Sequence, residues 1–350
     1  MLKAFAQGLT DRLDDMRDRL PGGVIGKILA GTVLVYLLVA AALGWYWSQE
    51  PDSFSVTEHV TTEAETNAHR GQTVGYATTT TLIKMADTLL NKPGGYLTND
   101  KLPPGVWLDN IPRWEFGVLV QLRDVSRALR KDISRSQSQS TEDKDLTIAE
   151  PQFNFDNSSW LLPASESEYR RGIKALTSYR NRLADENQSD AQFYARADNL
   201  RNWLMDVETR LGSLSQRLTA SVGQDRVNLD LAGDPSATQS TKAPDTQQVK
   251  TPWNKTDDIF YEARGTAWAL IHIMKAVEMD FQKVLEDKNA LISLRQIIRE
   301  LEATQDTLWS PVILNGSGFG IFANHSLVMA SYISRANAAI IDLRELLDRG

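Results

Sequence analysis

FYARADNLRNWLMDVETRLGSLSQRL, residues 193–218, decides the fold. Phe193, Ala197, Leu200, Leu204, Val207, Leu211, Leu214 and Leu218 recur in steps of four and three without a miss. A 3.5-residue repeat sustained this long marks a helix packed along its length against another, as bundle core or as a self-associating coiled coil. The stretch before it reads the same way. Ser165 and Glu168 form a capping-box signature, and Tyr169, Ile173, Leu176, Tyr179 and Leu183 line one face of the helix they open. Farther back, residues 113–134 bury Phe116, Leu119, Val120, Leu122, Val125 and Leu129, before the polar run SRSQSQSTED (134–143). A first outer helix is expected from residue 53 to about residue 90, its start weak and threonine-rich (Thr78 to Thr81) and its end convincing, until Pro93-Gly94-Gly95 stops it.

On the other side, residues 223–256 dissolve into Gly, Pro, Ser, Thr, Asp and Gln and read as a flexible loop or linker. Helical spacing resumes behind Asp257 or Asp258, either of which can cap, through Phe260, Ala263, Ala267, Leu270, Met274, Val277 and Phe281. Another helix runs from Asn289 past Leu294, Ile298 and Leu301 to Ser310-Pro311, and a last one ends near Leu347. No stretch alternates as a strand does. The expected fold is all-α: an elongated antiparallel helical bundle made by residues 49–222 and completed by residues 257–350.

At the N-terminal end, ILAGTVLVYLLVAAALGWYW (28–47) carries no charge and is long enough to span a hydrocarbon core of about 30 Å. Lys3, Arg12, Arg17, Arg19 and Lys27 precede it, and no basic residue follows until Arg70. That asymmetry places residues 1–23 in the cytoplasm, a transmembrane helix at 24–48 in the lipid bilayer, and the bulk of the chain outside. Trp45, Tyr46 and Trp47 suit the interfacial level at the outer end. Ala40-x-Ala42 resembles a processing site, but the apolar run continues past it and closes on aromatics, so an uncleaved anchor is expected. The first 23 residues carry Leu2, Phe5, Leu9, Leu13, Met16 and Leu20 at helical spacing, as an amphipathic segment would.

Composition narrows the chemistry. The net charge of −7 falls outside the first fifty residues, which hold five bases and five acids, so nucleic acid is not an expected partner. With no cysteine, disulfides, thiolate metal sites and cysteine nucleophiles are excluded. His59 with Glu63 and Glu65 with His69 stand at i, i+4, but an acidic helix yields such pairs by chance and HExxH is absent. No metal site and no cofactor are expected. His272 among Ile271, Ile273 and Met274 reads as a satisfied, partly buried imidazole, and His325-Ser326 lacks the context of a triad.

Two places invite a site. PPGVWLDNIPRWEFGVL (103–119) crowds Trp107, Asp109, Arg113, Trp114 and Glu115 around a proline-rich loop, a partner- or ligand-binding candidate set against two Trp that plug the bundle end. NGSGFG (315–320) lacks the strand and Lys of a nucleotide loop. Gly316, Ser317 and Gly318 remain an anion-binding candidate at the start of the last helix.

The strings PPGVWLDNIPRWEFGVL, SRSQSQSTED, FYEARGTAWAL, LISLRQIIRELEATQ, SPVILNGSGFG and ANHSLVMASYISRANAAIIDLRELL resemble an uncharacterised family of Gram-negative bacterial proteins known only as a domain of unknown function. The resemblance implies a bacterial inner-membrane protein with its main domain in the periplasm, and brings no activity and no site residues. Three readings follow. The first is a non-catalytic envelope scaffold or adaptor docking another envelope protein or itself. The second is an envelope lipid, glycan or peptidoglycan enzyme using carboxylates such as Glu115, Asp124 or Glu262. The third is an apolar-ligand carrier whose cavity residues 73–90 and 263–281 line.

Overall fold

The computed structural model describes residues 24–66, 73–136, 140–185, 187, 190–227 and 246–349. The amphipathic segment at 1–23, His69 and most of the 223–256 stretch lie outside them. Among the described residues there are eleven α-helices. In chain order they are α1 (Val24–Trp47), α2 (Val56–Thr66), α3 (Tyr76–Asn91), α4 (Asn110–Ala128), α5 (Leu146–Phe153), α6 (Ser165–Ala184), α7 (Ala197–Thr219), α8 (Thr256–Asp280), α9 (Gln282–Asp287), α10 (Leu291–Glu302) and α11 (His325–Asp348). A two-stranded antiparallel ribbon pairs β1 (Gln224–Val227) with β2 (Thr246–Val249), where a structureless linker was expected.

The heptad stretch forms α7, apart from Phe193, which lies before the helix and meets Phe281 edge-on at 5.6 Å. Its apolar side packs on α11. Arg201 pairs with Asp348, Glu208 with Arg344, and Ser215 with Ser334 at 2.5 Å, in step along the two helices. One apolar core takes in Leu82 and Met85 of α3, Leu119 and Leu122 of α4, Tyr179 of α6, Leu204 and Leu211 of α7, Trp268 of α8, and Ile333 and Ile340 of α11. Residues before and after the 223–256 stretch therefore share a single interior.

Two expectations need correction. The helix foreseen over 53–90 is two, α2 and α3, and Gly75 before α3 has a positive φ of 92° that a β-carbon would strain. Asp280, at the end of α8, caps α3 instead of a local side chain. Its carboxylate accepts from Gly75 N at 2.8 Å and Thr78 N at 2.6 Å, and burial pushes it up to about 6. Neither predicted cap at α6 or α8 forms. The Ser165 hydroxyl donates to the carbonyls of Asp156 and Ser159 in the preceding loop, and Asp258 is held by Lys255 and Arg113.

At the centre α4 and α8 touch backbone to backbone. A β-carbon on Gly117 would lie 2.3 Å from the Glu262 carbonyl oxygen, and one on Gly265 2.1 Å from that of Trp114. Only glycine permits so close a crossing.

The stretch Gly26–Trp47 of α1 is long and apolar enough to cross a membrane by length and composition. Leu34, Leu38 and most of its other large side chains are exposed rather than packed on the bundle.

Candidate functional site at the exit of the apolar helix

α8 is buried nearly all round, yet it carries Arg264, Trp268 and His272 at i, i+4 and i+8 on one stripe. Polar groups so deep need partners. They find them in the segment that leaves α1. The Arg264 guanidinium donates to both carboxylate oxygens of Glu50 at 2.6–2.9 Å, and to the carbonyls of Thr304 and Asp306, each at 3.0 Å. One turn on, Trp268 Nε1 reaches the Asp52 carbonyl at 3.4 Å. A further turn on, His272 Nε2 accepts from Phe54 N at 3.1 Å, and the Phe54 ring stacks on the imidazole at 4.0 Å.

The match is metrical. Two residues of extended chain advance about 6.6 Å, and four residues of helix about 6 Å. Alternate residues of the strap, 50, 52 and 54, therefore meet every fourth residue of α8.

His272 is fully buried. Because Nε2 accepts from a backbone amide, Nδ1 carries the proton, which it donates to the Trp268 carbonyl at 2.6 Å. Desolvation pushes its pKa down to about 4. The imidazole is a neutral structural clasp; that it is satisfied agrees with the sequence reading, and it is buried more completely than the partial burial expected.

The last turn of α1 is also built into the bundle. Gly44 abuts Pro104 and Leu108, and the Trp47 ring lies over Gly94, where a β-carbon would come within 2.8 Å of it.

The Trp107–Glu115 set divides. Trp114 is fully buried and meets Trp268 edge-on at 5.1 Å, at the α4–α8 crossing. Glu115 is fully buried too. It accepts from Leu97 N at 2.8 Å and Thr98 N at 2.9 Å, and pairs with the buried Lys92 ammonium at 2.5 Å. Burial takes both away from any docked partner; Glu115 instead locks the turn after α3. Trp107, Asp109 and Arg113 are exposed, with Arg113 lying 3.2 Å from Asp258.

The three carboxylates considered for acid–base work occupy separate ion pairs: Glu115 with Lys92, Asp124 with Arg127 and Arg210, Glu262 with Arg217. The glycine loop folds on itself. Gly316 N donates to the Ala323 carbonyl at 3.0 Å, and the Asn324 side chain accepts from Leu327 N at 2.8 Å, capping α11. That cap occupies one of the free amides that motivated anion binding at Gly316, Ser317 and Gly318. Ser326 donates to Asn315 and His325 accepts from Leu314 N, so these two side chains serve the same loop.

A mostly apolar hollow of about 540 Å³ lies between the start of α8, residues 303–310 and α11, lined by Phe260, Leu308, Trp309, Val328, Met329 and Tyr332. Its lining is not the one foreseen. Residues 73–90 do not reach it, and of 263–281 only Arg264 does.

Sequence reasoning missed the clasp. Its one local signal was a polar and aromatic stripe, Arg264–Trp268–His272, on an otherwise small and greasy helix.

No curated protein and no solved structure matches this chain. A family model described as an uncharacterized protein conserved in bacteria (DUF2333) matches residues 23–350, from the first turn of α1 onward, and the chain belongs to that family.

Proposed function

We propose that this bacterial protein is a single-pass anchored scaffold or adaptor of the cell envelope. In this reading α1 crosses the inner membrane, residues 1–23 face the cytoplasm, and the helical bundle stands in the periplasm. The basic flank before α1 and its absence after it support the direction. The observation that carries the reading is the clasp. Glu50, Asp52 and Phe54 are gripped by a buried stripe of α8, so the bundle is held at a fixed attitude to the apolar helix instead of hanging from a tether. Such coupling suits a body that presents a surface to another envelope protein, or to a second copy, at a set height above the bilayer. The exposed Asp109 and Arg113, just beyond the Pro104–Leu108 turn, are candidates for that contact.

A fusion of alkaline phosphatase after residue 350 tests the topology. Enzymatic activity and an intact 39.1 kDa chain portion are expected. A silent reporter, or a chain that has lost residues 1–42, overturns the reading. Crosslinking in intact cells then identifies the docked partner. An apolar-ligand carrier is the second reading, favoured by the 540 Å³ hollow alone; lipid retained through purification and lost on filling the hollow with Met329→Trp is its mark.

A further inference from the structure

Three loops surround the last turn of α1. The turn at Pro104–Leu108 touches Gly44. Trp160 shares a hollow with Trp47, Leu102 and Pro103. Trp309 and Pro311 share another with Trp45 and Ser48. The second and third loops are greasy on the outside, and the first shows Leu102, Val106 and Trp107 to solvent beside the charged Lys101 and Asp109. Trp107 is about half exposed, Leu162 is 94% exposed and Trp309 is 92% exposed. In the loop that Trp309 opens, Ile321 is 99% exposed and Phe319 wholly so. No charged residue occurs in WLLP (160–163) or in LWSPVILNGSGFGIFAN (308–324). Elsewhere among the described residues of the bundle, exposed large apolar side chains are scattered along the sequence, Met205, Trp253 and Ile292 among them.

Water is a poor neighbour for so many apolar tips on loops beside one apolar helix end. The headgroup layer is a good one, since Trp favours it and unpaired apolar tips gain by entering it. We infer that these loops are a second membrane contact, seated in the headgroup layer of the leaflet from which α1 emerges. The occupant is fixed by continuity. If α1 spans the bilayer, its last turn leaves the hydrocarbon at Trp45–Trp47, and the loops that abut that turn or share a hollow with it lie near the same level. The headgroup layer adds about 5–8 Å on each side of the hydrocarbon, a depth that side chains next to Gly44 and Trp47 can reach. The inference thus rests on the anchored reading and adds to it: the bundle lies against the membrane on a greasy underside.

The chain has no cysteine, so single reporters can be placed in the full-length protein. Val35→Cys in α1, Leu161→Cys and Ile321→Cys in the loops, and Ile292→Cys on α10 are each spin-labelled and reconstituted into phosphatidylethanolamine–phosphatidylglycerol vesicles. Collision with oxygen, enriched in lipid, is compared with collision with a water-soluble nickel chelate. Labels at 35, 161 and 321 are expected to be several-fold less accessible to nickel than the label at 292, while remaining accessible to oxygen. Nickel reaching 161 and 321 as freely as 292, with 35 still shielded, overturns the inference and leaves the anchor standing. Nickel reaching 35 overturns the anchor itself. Shielding of 161 and 321 from both probes, with dipolar broadening between labels, assigns the patch to a second copy and also overturns the inference.

Discussion

At the residue scale the clasp is a lesson in how buried polar groups are held. Arg264 grips the Glu50 carboxylate through two nitrogens and gives its third to two carbonyls, more donors in a fixed fork than the three of an ammonium. His272 works only when neutral, because Nε2 must accept from Phe54 N. Its folded pKa, about 4, lies below the ordinary 6.5. Between those values the unfolded chain binds a proton that the folded chain refuses. Its contribution is therefore fully present above pH 6.5 and is lost as the pH falls toward 4. Asp280, raised from 3.8 to about 6, has the opposite sign over part of that window: its effect costs stability as the pH rises. Comparison with a His272→Gln variant removes the Asp280 effect from the difference. Urea unfolding at pH 7 and pH 5 should show the stability gap between wild type and variant shrinking by about 2 kcal/mol. An unchanged gap means the imidazole is not held neutral. The sequence made a satisfied, partly buried His272 legible, since its neighbours are all apolar. It could not show the partner, because Phe54 lies 218 residues away. Trp107 and Trp114 illustrate the same limit. Their shared loop is plain in the sequence, but which ring enters the core depends on where α8 crosses.

Among the elements, α8 is the axis on which the others are hung. It meets α4 through paired glycines, holds the strap on its polar stripe, and caps α3 through Asp280. The glycine crossing admits no β-carbon without moving backbone. Gly265→Ala should destabilise the bundle by about 3 kcal/mol, read as a lower urea midpoint, whereas Gly212→Ala on α7, with nothing nearer than 3.7 Å, should be close to neutral or mildly stabilising. Equal effects at both positions would mean that the crossing is loose. The long helices were legible because a 3.5- to 3.6-residue repeat survives without tertiary information, as α7 shows. α5 was not foreseen: it is short and contains Pro151, so its pattern never rises above loop composition. The division between α2 and α3 was also hidden. The threonines at 78–81 look like a poor helix, yet in the structure they are buried in α3 against neighbours no local pattern reveals.

For the whole molecule, the helical class could be read from the sequence, while the way the apolar helix joins the bundle could not. Composition after Trp47 suggests only a short acidic connector; it is the tertiary register of residues 50–54 on α8 that turns the connector into a fixture. That register behaves like a vernier. Inserting one glycine between Ser48 and Glu50 leaves the strap itself intact and should be absorbed in the turn. One residue inserted between Asp52 and Phe54 reverses which side chains face α8, so Glu50 and Phe54 cannot both engage. Two residues restore the parity, but with one tooth skipped. Limited proteolysis of the full chain should accordingly cut within the strap far faster after the single insertion than after the double one. A protein fastened by counted notches should answer changes of length within residues 50–54 in whole teeth of about 6 Å rather than by degrees.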